Sequence, residues 1–243
     1  MACSLIDTLK KWRKRMGSTK KFYLILLLIL SFTLIPLTGV IAEEVIAYIG
    51  EVGGEVSVTR SSTSSTDPVT PGMFLNAGDM LKTGAESFAS IIFQDDGSRV
   101  KLGANSQLTL NATRREDRLE KSSFLQMGKL WAKVTKKKGT FFQVKTPTSV
   151  ASVKGTRFIM EEKEWGETWL WVLEDSVLLA NDSEEKEVEE GQKGKATKDK
   201  IEIEDIQKDD LPIEPGIHKM IFYLKKSGAT ELQKEVHVEF EVK

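Results

Sequence analysis

Few residues in this chain of 243 residues have the types that catalysis or metal binding requires. It contains one cysteine, Cys3, and two histidines, His218 and His237. A single cysteine excludes an intramolecular disulfide and any cysteine-rich metal site. No P-loop, dinucleotide-binding glycine motif, nucleophile elbow or HExxH motif is present. A serine nucleophile needs a base that can approach it, but His218 borders a predicted turn and His237 lies on the outward face of a predicted strand. We therefore expect no enzymatic activity, no metal and no cofactor.

Two pairs of adjacent carboxylates, Asp95-Asp96 and Asp209-Asp210, are the remaining candidates for binding a cation. The first pair is followed by Gly97, and this combination is typical of a hairpin turn. The second pair lies in a charged stretch that we interpret as a linker. We interpret both pairs as structural.

Three residues are candidates for contact with a partner. Trp165 stands beside Gly166 in a predicted turn and could stack on a ligand ring, although core packing is the commoner use of an aromatic residue in a β protein. Lys154 and Arg157 flank a bend, where they could together hold an anion or a carboxylate partner. An internal ion pair is the alternative for these two side chains.

The charge of the chain is distributed unevenly. Residues 1–42 contain seven lysines and arginines and a single acidic residue, whereas residues 43–243 contain 28 basic and 35 acidic residues. A body with a net charge of −7 is poorly suited to bind a polyanion, which argues against nucleic acid as a partner.

The basic N-terminal region, residues 1–21, precedes an apolar segment at residues 22–42 that indicates export. A basic head, an apolar stretch and small residues before an acidic start are typical of a signal peptide, with cleavage between Ala42 and Glu43. The alternative is an uncleaved membrane anchor, because the 21 residues of this segment would be about 32 Å long as a helix. Either interpretation places the body outside the cytoplasm, in the periplasm or at the cell surface. Translation could also start at Met16 instead of Met1.

The rest of the chain predicts an all-β protein. Apolar residues recur mostly at every second position, in short segments separated by turn residues. We expect short antiparallel strands in a solenoid-like stack or a sandwich, preceded by one N-terminal apolar helix. Residues 168–173 are apolar on both faces, which is typical of a central strand, whereas the charged residues 115–123 suggest an exposed excursion. We expect a charged linker at 193–210 and a C-terminal hairpin, the remnant of an immunoglobulin-like repeat, at 211–243.

Several phrases, taken in order, resemble the FecR domain family between residues 46 and 192. They are GDMLKTG (78–84), SFASIIF (87–93), DGSRVKLG (96–103), NSQL (105–108), GKLW (128–131), VKTPTSVASVKGTRF (144–158) and EGQ (190–192). The family usually has arginine at the position of Lys154. These phrases consist of turn residues and alternating strand residues, so they describe a scaffold and no reactive centre.

The resemblance implies a non-enzymatic domain of the bacterial cell envelope that binds or senses an envelope protein or ligand. FecR-type regulators carry a signal across the membrane to a cytoplasmic sigma factor, and a membrane-anchored transducer of this kind is the first alternative. The 21 residues before the apolar segment are too few for an independent cytoplasmic core, so we place this role second. A carbohydrate-binding envelope module that uses Trp165 is the other alternative.

Overall fold

The computed structural model describes residues 44–115, 118–137, 141–163, 166–207 and 210–212; for Arg118 it describes the backbone only. Within these residues the secondary structure consists of strands and turns, without a helix, and the predicted all-β class is confirmed. The expected N-terminal helix, the cleavage site at Ala42 and Glu43, and the C-terminal hairpin beyond Pro212 lie outside the described residues.

Eighteen strands form one continuous sheet. They are β1 (Val45–Gly53), β2 (Val56–Thr59), β3 (Thr66–Pro68), β4 (Phe74–Asn76), β5 (Met80–Thr83), β6 (Phe88–Phe93), β7 (Arg99–Leu102), β8 (Gln107–Thr109), β9 (Ala112–Arg115), β10 (Arg118–Lys133), β11 (Phe141–Lys145), β12 (Val150–Val153), β13 (Arg157–Lys163), β14 (Glu167–Glu174), β15 (Ser176–Ala180), β16 (Glu185–Glu189), β17 (Gln192–Ala196) and β18 (Ile201–Asp205).

The sheet divides into two halves that share the long strand β10. The first half-sheet has the order β4-β1-β6-β7-β10-β13-β14-β17-β18, and all of its neighbours are antiparallel. The second half-sheet has the order β3-β2-β5-β8-β10-β11-β12-β15-β16, with β9 also beside β10. Its β10–β11 pair is parallel. From β13 onward, consecutive hairpins alternate between the two halves.

Strand β10 passes from one half-sheet to the other at Gly128. Its residues up to Met127 pair in the second half-sheet, and those from Gly128 onward pair in the first. A register shift precedes the crossing, and Gly128 has a positive φ of 89°. The backbone N–H of Lys129 donates to the Ser106 hydroxyl at 2.9 Å, which fixes the strand directly after the crossing.

The inward faces of the two half-sheets enclose one hydrophobic core. The Phe93 ring of the first half meets the Phe142 ring of the second edge-on, with 5.6 Å between the ring centroids. The strand period predicted from the sequence is present: Ala89, Ile91 and Phe93 of β6 are fully buried, and the residues between them are half-buried. Burial of such side chains contributes roughly 1.5–3 kcal/mol each for the larger ones.

The hairpin predicted at Asp95-Asp96-Gly97 is confirmed. It joins β6 to β7, and the N–H of Phe93 donates to the carbonyl of Ser98 at 2.9 Å. The N–H of Gly97 donates back to the Phe93 carbonyl at 3.0 Å, and Asp96 Oδ1 accepts a hydrogen bond from the Ser98 N–H. The aspartates therefore have the turn role that their sequence context indicates.

Two predictions from charge content are wrong. Most of residues 115–123, expected to be an exposed excursion, form the β9–β10 hairpin, and Lys121 is fully buried in it. Residues 193–210, expected to be a linker, contribute most of β17 and all of β18. In both segments the charged side chains alternate with buried ones, such as Ala196 and Ile201, so one face enters the core while the other is solvated. Because both segments are rich in charged residues, the alternation of buried and solvated positions was not recognised from the sequence.

Candidate binding surface

The two basic residues proposed as an anion site lie on opposite sides of a bend between β12 and β13. Lys154 is exposed, whereas Arg157 starts β13 and its guanidinium lies 3.3 Å from the Glu174 carboxylate. The space beside Gly155 is taken by another part of the chain, since a Cβ there would lie 2.6 Å from the Cα of Lys136. Arg157 thus has the internal partner that the alternative interpretation of the sequence describes.

The third candidate, Trp165, lies outside the described residues. The β13–β14 hairpin that contains its position pairs Lys163 with Glu167 at its tip. Lys163 is six residues from Arg157 along β13, about 20 Å at ~3.3 Å per residue. The described part of the chain therefore does not bring the tip of this hairpin together with the Lys154–Arg157 bend.

A second apolar cluster covers the outer face of the first half-sheet, on the side opposite the main core. We call it the tryptophan face; it consists of Trp131, Ile159, Trp169, Trp171 and Leu173 with two residues from beyond β18, Ile206 and Leu211. Sheet register explains its centre, because Trp131 pairs with Ile159 and Ile159 pairs with Trp171. The prediction that β14 is a central strand with two apolar faces is confirmed: Leu170 and Val172 enter the main core, and the two tryptophans enter this cluster.

Lysines surround the exposed part of the tryptophan face. The ammonium groups of Lys163, Lys193 and Lys195 lie 4.9, 5.7 and 5.4 Å from the ring centroid of Trp169. The Trp169 ring also stacks on Trp171 with 6.0 Å between centroids and 22° between planes. Cations at this distance from an indole ring are attracted by its negative face. The arrangement is an aromatic and basic surface on which Lys193 and Lys195 also form ion pairs, with Asp210 and Glu167 respectively.

After β18 the chain turns back over the tryptophan face. The N–H of Ile206 donates to the Gly191 carbonyl at 2.8 Å, and its side chain is buried in the cluster. Lys193 Nζ then lies 2.9 Å from Asp210 Oδ2, and the same oxygen accepts the Gln207 N–H at 2.9 Å. These contacts hold Ile206, Gln207 and Asp210, in the segment that returns after β18, against the outer face of the sheet.

Acidification is expected to loosen this returning segment. The hydrogen bond from Lys193 holds the pKa of Asp210 below its ordinary value of 3.8, and the Gln207 N–H acts in the same direction. Because the folded-state pKa is depressed, the stabilisation is present above the ordinary pKa and is lost as pH falls through the lower folded value. We expect tryptophan fluorescence to change below about pH 3.8, and an Asp210→Asn variant to show the altered fluorescence already at neutral pH. Equal pH profiles for the two proteins would contradict this assignment.

The pKa of a second carboxylate at this surface, that of Glu167, is also lowered. The hydrogen bond from Lys195, at 2.9 Å, lowers the pKa of Glu167. Glu167→Gln is the matched comparison for Asp210→Asn, because Glu167 and Asp210 each pair with a lysine of β17, but Glu167 lies at the start of β14 and not in the returning segment. Only the first substitution is expected to change the environment of the returning segment at neutral pH.

The polar residues of the FecR-like phrases hold turns. The buried Asp79 carboxylate accepts hydrogen bonds from Arg60 Nη1 at 2.7 Å and from the N–H groups of Ser61 and Asn76. The Thr83 hydroxyl donates to the Gly103 carbonyl at 2.5 Å and accepts from the Ser106 N–H at 2.9 Å. At these bends the side chains form hydrogen bonds with backbone N–H and C=O groups, and buried backbone groups require such partners. The contacts agree with the scaffold role expected from the sequence.

Sequence reasoning missed a buried carboxylate in the same region. Glu162 faces inward on β13, and its carboxylate accepts hydrogen bonds from the hydroxyls of Thr148 and Thr168. The Thr146 hydroxyl lies 2.7 Å from that of Thr168 and accepts the Ser149 N–H at 2.9 Å. Every polar side chain of this network has a partner, so it forms a structural link between the threonine-rich turn and the β13–β14 hairpin. The even spacing of Met160 and Glu162 was the available signal.

Chemistry-bearing clusters are scarce in the described ranges. No group of three or more histidine, cysteine, aspartate or glutamate side chains is arranged there to hold a metal ion. Both histidines lie outside these ranges. Likewise, no helix that is long and apolar enough to cross a membrane occurs among the residues whose structure is described.

Comparison with known proteins identifies part of this scaffold. Residues 79–178 match the family model described as FecR protein. No curated protein matches the chain. Similar solved structures include two crystal structures of a putative anti-sigma factor from Parabacteroides distasonis, with 14% and 13% sequence identity and a TM-score of 0.46 each. Each alignment covers 52% of this chain and 59% of that chain, so this chain matches less than two thirds of their length.

The family match lies within the resemblance seen in the sequence. It begins at Asp79 and ends at Leu178, inside the interval 46–192. The matched segment contains the turn residues Thr83 and Ser106, the crossing strand β10 and the first strands of the tryptophan face. Residues 79–178 of this all-β chain therefore match the FecR family model within the interval that the phrases in the sequence indicated.

Proposed function

We propose that this protein is an exported, non-enzymatic FecR-domain protein of the bacterial cell envelope that acts by binding a protein or ligand. The observation that carries the proposal is the FecR match at residues 79–178. The buried polar residues Asp79, Thr83 and Ser106 in this segment are fully used in turns, so the fold offers surfaces for contact and uses its polar groups for structure. The basic and apolar sequence of residues 1–42 supports export.

The compartment is tested on the native protein. We expect the intact mass and N-terminal sequence of the soluble fraction to correspond to a chain that begins at Glu43. A membrane-bound species that retains residues 22–42 would favour the alternative, a FecR-type transducer that regulates a sigma factor. A protein recovered only from the cytoplasm with its apolar segment intact would contradict export.

Binding is tested with the exported body of the protein. Immobilised protein is incubated with envelope extract, and the bound partner is compared between wild type, Trp165→Ala and a Lys154→Ala, Arg157→Ala double variant. Lys200→Ala is the matched control, because Lys200 is an exposed lysine in the turn between β17 and β18. Loss of the partner in either test variant, with retention in the control, would support the candidate residues. If both test variants retain the partner, the contact lies on another surface.

A carbohydrate ligand is the second candidate function, favoured by the stacked pair of Trp169 and Trp171. Trp171 is almost completely buried, so of this stacked pair the half-buried Trp169 ring would contact the sugar, and Trp165 is the candidate that the sequence predicts. Pull-down with purified cell-wall glycan tests this: binding that survives Trp165→Ala and Trp169→Ala would rule out aromatic stacking at these two positions.

A further inference from the structure

One row of side chains crosses six strands on the outer face of the first half-sheet. We call it the outer row; strand register aligns in it, from β4 to β13, Phe74, Tyr48, Ile92, Arg99, Lys133 and Arg157. Because neighbouring strands lie about 4.8 Å apart, the row is about 24 Å long. Its first three members are aromatic or apolar, and its last three are basic. We propose that the outer row docks the protein on the surface of a membrane that contains anionic phospholipids.

The basic half of the outer row carries more positive charge than its neighbours neutralise. Lys133 lies directly between Arg99 on β7 and Arg157 on β13. Arg157 pairs with Glu174, but within the described ranges the exposed side chains of Arg99 and Lys133 have no ion pair and no hydrogen bond. Like charges directly opposite each other destabilise a sheet. This arrangement opposes folding, and an anionic partner would compensate for it.

The other half of the outer row exposes apolar surface at the margin of the half-sheet. Phe74 is 58% exposed, more than any other large apolar side chain whose burial is described. It lies on β4, the first strand of this half-sheet, whose described partner is β1. Tyr48 and Ile92, the next two members, are half-buried. Aromatic side chains in such a position are found at the level of the lipid headgroups, with phenylalanine reaching the acyl boundary.

A lipid surface complements both halves of the outer row at once. Its headgroup phosphates attract lysine and arginine, and the acyl boundary directly below them accepts an apolar ring. An acidic protein surface would complement the cations but not the exposed Phe74. Nucleic acid is disfavoured as well, because residues 43–243 carry a net charge of −7. Anionic lipid is therefore the occupant that the charges and the apolar area favour together.

The inference goes beyond the proposed function, because it assigns a lipid surface where that proposal names a protein or ligand. The two are tested separately, since vesicles contain no protein and capture from envelope extract is measured without vesicles. A protein that binds vesicles but captures no envelope partner would contradict only the proposed function. The reverse result would contradict only the inference.

Vesicle sedimentation tests the proposal with the protein that begins at Glu43, which contains the whole described sheet and lacks the apolar segment 22–42. We expect binding to vesicles of phosphatidylglycerol and phosphatidylcholine in equal amounts, and at least about tenfold weaker binding to phosphatidylcholine alone. Binding should also be lost at about 1 M salt, where the screening length is about 3 Å. Equal binding to the two kinds of vesicle, or none to either, overturns the proposal.

Lys133→Glu separates docking from folding. We expect at least about tenfold weaker binding to the anionic vesicles. Urea unfolding should show a protein at least as stable as the wild type, because a carboxylate between Arg99 and Arg157 replaces two repulsive contacts by attractive ones. Lys198→Glu is the matched control, since it makes the same change in charge at an exposed lysine in the turn between β17 and β18. If Lys133→Glu binds vesicles as well as this control does, the outer row is not the docking surface.

Arg99→Glu repeats the test on a second strand, so the conclusion does not depend on the folding of one variant. We expect the same loss of vesicle binding from it. Phe74→Ser should weaken vesicle binding more than Leu178→Ser, which changes an exposed apolar residue on β15 of the second half-sheet. Equal binding by these two variants would contradict the apolar contact. The proposal is also overturned if the charge reversals abolish capture of an acidic envelope protein while vesicle binding persists.

Discussion

Replacement of Lys121 by methionine is expected to destabilise the folded domain by about 3–5 kcal/mol, one of the two largest effects we anticipate. The Lys121 and Asp96 side chains are both fully buried and form a direct ion pair. Lys121 Nζ also lies 3.0 Å from Asp95 Oδ1 and 5.1 Å from the Phe93 ring centroid. Removing the cation leaves at least one carboxylate charged and uncompensated inside the protein. Urea unfolding measures the loss.

We attribute the loss of stability in Lys121→Met to carboxylates that are left without a counter-charge. A variant that also neutralises these carboxylates tests this explanation. Lys121→Met combined with Asp95→Asn and Asp96→Asn removes all three charges, and the amide oxygen then present at position 96 can still accept the hydrogen bond from the Ser98 N–H. We expect this triple variant to be more stable than Lys121→Met alone, because it leaves no buried charge without a counter-charge. Lys200→Met, which breaks the exposed pair with Glu202, should cost less than about 1 kcal/mol. A Lys121→Met protein as stable as that control would contradict the buried pair.

The fold was predictable wherever a strand has one apolar face and one polar face. Residues 87–103 show this, because the apolar residues of β6 and β7 alternate and a strong turn sequence joins them. The same local signals gave the central strand at residues 168–173. These features depend on neighbouring residues in the chain, which is why sequence alone reveals them.

Charged strands were not predictable in this way. Lys121 shares its inward face with Leu119, Ser123 and Leu125, and that spacing is visible in the sequence. What the sequence does not show is that Asp95 and Asp96, 25 and more positions away, supply the counter-charges that allow a lysine to be buried. A long-range partner therefore allows a charged residue to occupy an inward position that the local sequence does not predict.

The candidate surface was predictable only in part. The sequence pointed to Lys154, Arg157 and Trp165, of which Arg157 pairs internally with Glu174. The larger aromatic surface depends on sheet register, because Trp131 is placed beside Ile159, and Ile159 beside Trp171, by pairing of strands far apart in the chain. No local pattern contains that information.

The second large effect is expected from Gly128→Ala, at the point where β10 changes half-sheets. Gly128 has φ of 89°, which costs an alanine about 1–2 kcal/mol. A Cβ at this position would also lie 2.6 Å from the Cα of Ser106, so backbone has to move. Overpacking of this kind adds about 1–3 kcal/mol, and we expect a total loss of about 2–5 kcal/mol in urea unfolding.

Gly97→Ala separates the two contributions to the Gly128→Ala loss. Gly97 also has a positive φ, 70°, but no heavy atom beyond its chain neighbours lies within 4 Å of the position its Cβ would take. This variant should therefore lose only the conformational part, about 1–2 kcal/mol. Ser106→Gly should not rescue Gly128→Ala, because the clash involves the Ser106 backbone as well as its hydroxyl, and the hydroxyl is needed by the Lys129 N–H. Equal losses for Gly128→Ala and Gly97→Ala would show that close packing of β10 on Ser106 does not determine where the strand crosses.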